Sequence, residues 1–558
     1  MSFSSRSCVI SKCAPLLCVV LALALAARAH AFVAAWLPAP QGTPALQGTP
    51  APQGTPAPLV TPSPQVAPAA PVPAAPSATT QTLEDRWYQL SLGGKPCGWF
   101  HEWVERQDNT IRSMTETEMT VGRMGQGVTL RTRTTFEETT RGVPVRAEIV
   151  KTSGAAPVRC TWTFAAGDME IADEQSGRRT VQRHPLPAAG WLPPYAADEF
   201  VRRRLASGAK ELRYITLDPE SGPDAVQVES VRKGTADTEV DGRTVPLTEW
   251  STKTSLIERP SSEFMSSDGV LIQSRTDLGV GILESRLTTR AIATAAAAPV
   301  EIMARTFIPL TSNARALTEA RRAELLVTAN DSVLGDLPSA GAQVFVRTAA
   351  GAARLSIDAD ASSMAPAADA SDARFTRASV MADSDDPAIR SFAQKSLEGC
   401  APLPLARAEA LRSAVNRYIT NKNLASGFAT ASEALKSRSG DCTEHAVLLC
   451  ALLRTQGIPA RVASGLLYVA ESGAIRNSYG WHMWTQAIID GKWVDFDAVL
   501  AARGPRFDAS HVLTGLSAAD GASIDTDLAR IVDLMGDTAI EVQSIDGKPL
   551  IKSKGAAR

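Results

Sequence analysis

Cys442 opens an apolar helical run, His482 follows forty residues later, and Asp497 comes after it. Thiol, imidazole and carboxylate in that order suggest an activated sulfur nucleophile: the imidazole takes the thiol proton, the carboxylate orients the imidazole, and the sulfur attacks an acyl carbon. The local sequence is Ser439-Gly440-Asp441-Cys442-Thr443-Glu444-His445. Asp441 suits a helix cap, Ala446, Leu449 and Leu453 supply a buried stripe, and Gly457-Ile458-Pro459 is a stop signal. Cys442 therefore belongs to the first helical turn. There, free N–H groups and aligned peptide dipoles stabilise a thiolate and can receive an oxyanion.

Two neighbours compete for attention. Cys450 lies mid-helix among Val447, Leu448, Leu449 and Ala451 and reads as a small buried hydrophobe. His445 is three residues from Cys442 on the same helix, which suits packing beside the helix better than facing a substrate across the thiol. His482 is preferred as the base because it has an apparent carboxylate partner. Cys442, His445 and Cys450 lack the paired close ligands of a zinc site, so no metal and no cofactor are expected.

The elements that must position these groups are legible nearby. Arg461–Ala470 reads as a strand, and Trp481–Ile489 and Lys492–Asp497 read as two more, joined by Asp490-Gly491. A two-residue turn sets the register as Ile489 with Lys492, Ala487 with Val494 and Trp484 with Asp497. On that register Met483, Ala487, Ile489, Val494, Phe496 and Ala498 form an apolar face. His482, Trp484, Ile488, Trp493, Asp495 and Asp497 form the other. His482 and Asp497 become diagonal neighbours within side-chain reach, with Asp495 the weaker candidate partner.

The whole chain has 558 residues and a net charge of −2. That length implies more than one domain, and near-neutrality advertises no surface for nucleic acid. Residues 1–31 combine Arg6 and Lys12 with an apolar run from Ala14 to Ala27 and a small-x-small pattern at Ala29-His30-Ala31. They read as a secretory signal, with an uncleaved anchor as the alternative. Residues 32–82 are rich in Pro, Ala, Gln and Thr, with Gln-Gly-Thr-Pro repeated, and read as a disordered linker or stalk. With Cys8, Cys13 and Cys18 removed, five cysteines remain, so at least one is a free thiol; Cys97 and Cys160 are candidates to pair.

Residues 83–298 read as a β-rich domain of mostly antiparallel sheet. Val128, Leu130, Thr132, Thr134 and Phe136 alternate with Thr129, Arg131, Arg133, Thr135 and Glu137, while Asp241-Gly242 and Asp268-Gly269 mark tight hairpins. Trp87, Trp99, Trp103 and Trp162 suit either a polymer-binding face or, more commonly, sheet packing. His101, Glu102 and Glu105 read as a solvated strand face, and His184 as a loop residue. Residues 299–395 read as a connector with some strand. A helix starting at Pro404 with Leu405, Ala408, Leu411, Val415 and Ile419 at helical spacing opens a domain spanning 396–545, and 546–558 form a tail.

The chemistry-bearing segment resembles the transglutaminase-like superfamily. The resemblance rests on Gly440-Asp441-Cys442-Thr443-Glu444-His445-Ala446, on Leu452 through Arg461, on His482-Met483-Trp484 and on Trp493-Val494-Asp495-Phe496-Asp497. It covers roughly the last quarter of the chain and implies a papain-like core with Cys442 as nucleophile, His482 as base and Asp497 as orienting acid. This chain departs from the common pattern at Met483, where many members have alanine, and at Ala498-Val499, where Pro-Thr is common. The expected fold is thus α+β, a papain-like transglutaminase core behind a large antiparallel β domain.

The expected protein is a secreted, periplasmic or cell-surface cysteine enzyme. It would act on amide bonds of a protein or peptide substrate, with cell-envelope material among its candidate partners, through a thioester resolved by water or by an amine. The alternative is a non-catalytic surface binding or scaffold protein that keeps the fold.

Overall fold

The computed structural model describes residues 80–550 apart from internal stretches, the longest being 302–306, 361–366, 422–428 and 520–537. The signal expected at 1–31, nearly all of the linker expected at 32–82, and Asp241, Gly242 and Asp268 lie outside the described residues. The described chain is α+β, with three sheets and six helices. None of those helices is long and apolar enough to cross a membrane.

The first sheet holds β1 (Gln81–Leu92) through β15 (Ile282–Thr288) in two meanders, antiparallel except for the last pair of the second, joined where β1 pairs with β15. One meander runs from β1 through β2 (Lys95–Gln107), β3 (Thr110–Arg123) and β4 (Gln126–Thr139) to β8 (Arg178–Pro185). The other runs back from β15 to β9 (Trp191–Leu192). Alternation drives this architecture: on β4, Leu130, Thr132, Thr134 and Phe136 are buried while Arg131 and Arg133 are exposed. The two arms meet through Leu217, which packs with Phe136, Trp162 and Ile171, and through Glu220, whose carboxylate accepts from Thr134 at 2.6 Å. Helix α1 (Pro194–Ala206) covers part of the second arm by burying Val201 against Leu212, Trp250 and Met265.

Several sequence expectations are corrected here. Trp162 is core, whereas Trp87, Trp99 and Trp103 lie on the other side with His101 stacked between Trp87 and Trp103 at 3.8 and 4.3 Å. Arg290, Arg131 and Arg133 sit over Trp87, Trp99 and Trp103 at 5.3, 5.7 and 5.6 Å, so the ring faces are already occupied. Glu102 is buried rather than solvated, since strand alternation turns it inward, where it accepts from Tyr88 Oη at 3.0 Å. Burial pushes its carboxyl up to about 7. Cys97 and Cys160 are both free thiols in different apolar clusters, and His184 lies in β8 rather than in a loop. The hairpin at Gly269 is tight, as expected, closed by Gly269 N–H to Ser266 O and Ser266 N–H to Val270 O at 2.9 Å each, with a register shift between Phe264 and Met265 beside it.

Helix α2 (Arg290–Ala293) and the short strands β16 (Val300–Glu301) and β17 (Ile308–Pro309) lead into the second half. The segment expected as a connector supplies β18 (Arg322–Ala329), β19 (Gln343–Ala349), β20 (Ala352–Asp358) and helix α3 (Pro387–Ser396). Its strands form a sheet in the order β19-β20-β18-β25-β26, completed by β25 (Thr538–Ile545) and β26 (Lys548–Pro549). Ala323, Leu325 and Val327 alternate inward, but their partner strand is some two hundred residues away, beyond any local pattern.

The remaining elements surround one buried helix. Helices α4 (Pro404–Tyr418), α5 (Ala431–Ser437) and α6 (Cys442–Thr455) pack with the sheet formed by β21 (Ala460–Ser472), β22 (Ile475–Ile489), β23 (Lys492–Phe496) and β24 (His511–Ser517). Every residue of α6 from Cys442 to Arg454 is buried, as its apolar circumference requires. Thr485 Oγ1 donates to Ala446 O at 2.9 Å and ties β22 to the helix. Arg454 donates to the carbonyls of Ala460, Arg377 and Ala518, fixing the helix exit.

Gly465 on β21 pairs with His482 at a bulge against β24, and a Cβ there would overlap Val512 O and lie 3.0 Å from the Trp484 ring. Gly465→Ala is therefore expected to destabilise the C-terminal half by ~1–3 kcal/mol, the usual cost of overpacking. Denaturant unfolding followed by tryptophan fluorescence measures this; an unchanged midpoint would show that β24 is not held as tightly as described.

Candidate functional site

Cys442 is the first residue of α6 and fully buried. The helix mouth is built by a capping box: Asp441 Oδ1 accepts from the Thr443 N–H at 2.9 Å, and the Glu444 carboxylate accepts from the Asp441 N–H at 2.8 Å. Glu444 also accepts from the Ala429 N–H at 3.1 Å, joining the cap to the preceding loop. Gly440 is needed because a side chain there would overlap Glu444. The sequence thus delivers the thiol to the end of the helix where its dipole favours negative charge.

The β22–β23 ladder has the register expected from the Asp490-Gly491 turn, with Ile489 opposite Lys492, Ala487 opposite Val494 and Thr485 opposite Phe496. One step further brings His482 and Asp497 together: His482 Nε2 lies 2.9 Å from Asp497 Oδ2, with both side chains buried. Asp497 Oδ1 accepts from the Val499 N–H at 2.7 Å. Beyond it, Arg412 of α4 donates to the carbonyls of Asp497, Leu500 and Ala501, and Asn416 donates to those of Ala498 and Val499. The Ala498-Val499 departure therefore leaves the carboxylate anchored at both its own oxygen and its backbone. His482 Nδ1 has no hydrogen-bond partner among the described residues.

The other candidates are engaged elsewhere. Asp495 accepts from Trp484 Nε1, Gln486 Nε2 and the Ala342 N–H at 2.7, 2.8 and 2.7 Å, a structural role joining two sheets. Burial raises its pKa, opposed by those donors. His445 Nδ1 lies 2.7 Å from Asp441 O, turned back on its own helix. Cys450 is buried, and that burial raises its thiol pKa.

One residue escaped the sequence reading. His511, at the start of β24, places Nε2 3.2 Å from Asp497 Oδ2, while its Nδ1 lies 3.1 Å from Asp508 O and 3.2 Å from Asp508 Oδ1. Its signal was a histidine opening a strand with Val512, Leu513 and Leu516, three residues after an aspartate, but its partner Asp497 comes from the segment just after β23. Burial opposes charge on His511, yet Asp497 and Asp508 outweigh it and push its pKa up to about 9. Burial likewise opposes charge on Asp497, but His482 and His511 hold it below the usual carboxylate range.

The three donor atoms of His482, Asp497 and His511 lie within 4.8 Å of one another. Oδ2 sits at hydrogen-bond distance from both rings, a spacing suited to shared protons.

Residues 390–498 match the family model of the Transglutaminase-like superfamily, so the C-terminal region carries that resemblance on independent grounds. No curated protein matches the chain. Among solved structures, a beta-barrel-like protein of a domain of unknown function from Brucella abortus is 12% identical, covering 37% of this chain and 95% of that one, with a TM-score of 0.30. A candidate cysteine protease from Cytophaga hutchinsonii is 15% identical, covering 42% and 93%, with a TM-score of 0.26. A candidate protease from Parabacteroides distasonis is 12% identical, covering 65% and 68%, with a TM-score of 0.17. TM-scores this low carry no weight for fold or function.

The charge cluster has a pH signature. A histidine whose folded pKa of about 9 exceeds its ordinary 6.5 stabilises the fold fully below pH 6.5, and that contribution fades as pH rises through about 9. At about 1.4 kcal/mol per unit the loss is at most roughly 3.5 kcal/mol. Asp497 acts on the other side, stabilising above its ordinary value and losing effect as pH falls. Unfolding free energy measured from pH 6 to pH 10 is expected to decline in the native protein and to lose most of that slope in His511→Phe. Equal slopes in both would mean that His511 is not charged in the fold.

Proposed function

We propose that the protein is a thiol-dependent enzyme that breaks amide bonds of proteins or peptides through a thioester. The observation that carries this reading is the buried His482–Asp497 pair, with one imidazole nitrogen engaged by the carboxylate and the other unengaged among the described residues, in the same core as a cysteine at a helix mouth. The match of residues 390–498 to the transglutaminase-like superfamily supports it.

In this mechanism His482 Nδ1 takes the Cys442 thiol proton, and the sulfur adds to the amide carbon to form a C–S bond. N–H groups of the first turn of α6 would receive the oxyanion. The tetrahedral adduct collapses with cleavage of the C–N bond, and His482 returns the proton to the departing amine. Water or a second amine then adds to the thioester, His482 takes its proton, and the C–S bond breaks to regenerate the thiol. Asp497 fixes the ring orientation and stabilises the imidazolium, as the carboxylate of a Ser-His-Asp triad does. Papain-like packing, catalysis by these three residues, and export guided by residues 1–31 with a stalk over 32–82 all belong to this proposal. In a cell envelope, such a stalk would let the enzyme reach peptide-bearing material at a distance.

Incubating the full chain with a glutamine-containing peptide and a labelled amine, while following ammonia, amine incorporation and peptide cleavage, tests the proposal and separates transfer from hydrolysis. Cys442→Ala is expected to abolish turnover, and Asp497→Asn to lower kcat by about 10²–10⁴ in the folded fraction. If a thiol-directed probe left Cys442 unlabelled and Cys442→Ala changed no amide-directed activity, the binding or scaffold reading would replace this one.

A further inference from the structure

We infer that His511 is a positioning residue of the site, a second imidazole that shares one carboxylate oxygen of Asp497 with His482 and holds that carboxylate where the base meets it. This inference rests on the functional reading above. Its geometry is independent of that reading: one carboxylate oxygen, Asp497 Oδ2, faces His482 Nε2 at 2.9 Å and His511 Nε2 at 3.2 Å. A neutral imidazole donates through only one nitrogen, and His511 has acceptors at both, Asp497 on one side and Asp508 on the other. The imidazolium satisfies both at once; the Ser510 hydroxyl, 3.4 Å from Nδ1, is itself turned to Asp508, and His511, Asp497 and Asp508 are all buried.

Asp508 is itself fixed. Its Oδ1 accepts from the Ser510 N–H at 3.1 Å and from the Ser510 hydroxyl, and its Oδ2 accepts from the Glu319 N–H at 3.2 Å. The result is an alternating series, Asp508, His511, Asp497, His482, in which each charge is stabilised by its neighbours. Trp484 and Phe507 wall the His511 ring at centroid distances of 5.2 and 4.2 Å and keep the pairings from being exchanged for solvent.

His482 and His511 have ring centroids 5.5 Å apart, so both rings meet the same carboxylate oxygen and together fix where it lies. Other titratable or charged groups bear on this cluster. Asp495 lies on β23, Tyr479 on β22 faces Asp508, Arg412 on α4 faces Asp497, and Cys442 is at the mouth of α6.

The test compares the native chain with His511→Gln, which keeps an N–H donor and removes the charge, and with His511→Phe, which removes both. The rate of Cys442 alkylation by a neutral haloacetamide is followed from pH 5 to pH 10, with Cys442→Ala as the blank. In His511→Gln, which keeps a donor to Asp497, the alkylation rate is expected to stay close to native. In His511→Phe the rate is expected to fall at every pH, because Asp497 loses a support. Equal rates in a folded His511→Phe variant and the native chain overturn the inference. Nitrogen-15 spectra of the labelled native chain provide a second measurement that needs no variant. Both ring nitrogens of His511 are expected to be protonated at pH 7, and a neutral His511 there overturns the proposal. If the native Cys442 is not alkylated selectively, the functional reading fails, and the spectra still decide the state of His511.

Discussion

The carboxylate of Asp497, enclosed between two imidazoles, is the interaction on which the C-terminal half depends. A buried carboxylate without partners would be far too costly to ionise, and a buried imidazolium no less so. Each is tolerable only with the other beside it. Asp497 is supplied with His482, His511 and the Val499 N–H, and Asp508 completes the series from the far side. This arrangement constrains four separate chain segments at once: β22, the turn after β23, the loop before β24, and β24 itself. Replacing one member leaves its neighbour charged and unpaired, so the cluster specifies its own geometry more than it adds to stability.

The surrounding scaffold serves that constraint. Arg412 and Asn416 hold the carbonyls that follow Asp497, so the backbone cannot swing the carboxylate away. Asp495 would compete for a histidine in the same face, but it is taken up by Trp484, Gln486 and Ala342. Helix α6 is buried along its whole length up to Arg454, and it carries the cysteine at the terminus whose dipole favours negative charge. A rigid helix mouth and a rigid hairpin are the precise, low-entropy supports that nucleophilic catalysis requires.

The N-terminal sheet contributes stability and surface. Its tryptophan row is closed by stacking and by three guanidinium groups, which explains aromatic enrichment there without a ligand. Residues of this sheet such as Tyr88, Leu90 and Phe100 belong to the same contiguous apolar cluster as Cys442 and Phe496. The sheet and the thiol-bearing half are therefore packed as one body, and Arg178 of β8 pairs with Asp385 just before α3 at the surface.

The amino-acid sequence by itself determined the parts of this protein whose physics is local. Asp441 caps α6 because its side chain reaches the N–H two residues on, and Pro404 starts α4 because proline needs no helical donor. Asp490-Gly491 sets the β22–β23 register because a two-residue turn leaves no slack. From those, the facing of His482 and Asp497 could be read directly. Tertiary structure alone decided the rest. The sheet that pairs β18 with β25 joins segments some two hundred residues apart, and no periodicity in either announces the other. Glu102 was misread because alternation gives two faces without saying which is inward. His511 went unnoticed for a related reason. A histidine is defined by what lies opposite it, and the carboxylate it shares with His482 comes from the segment just after β23, brought near only when the sheet closes around the buried helix.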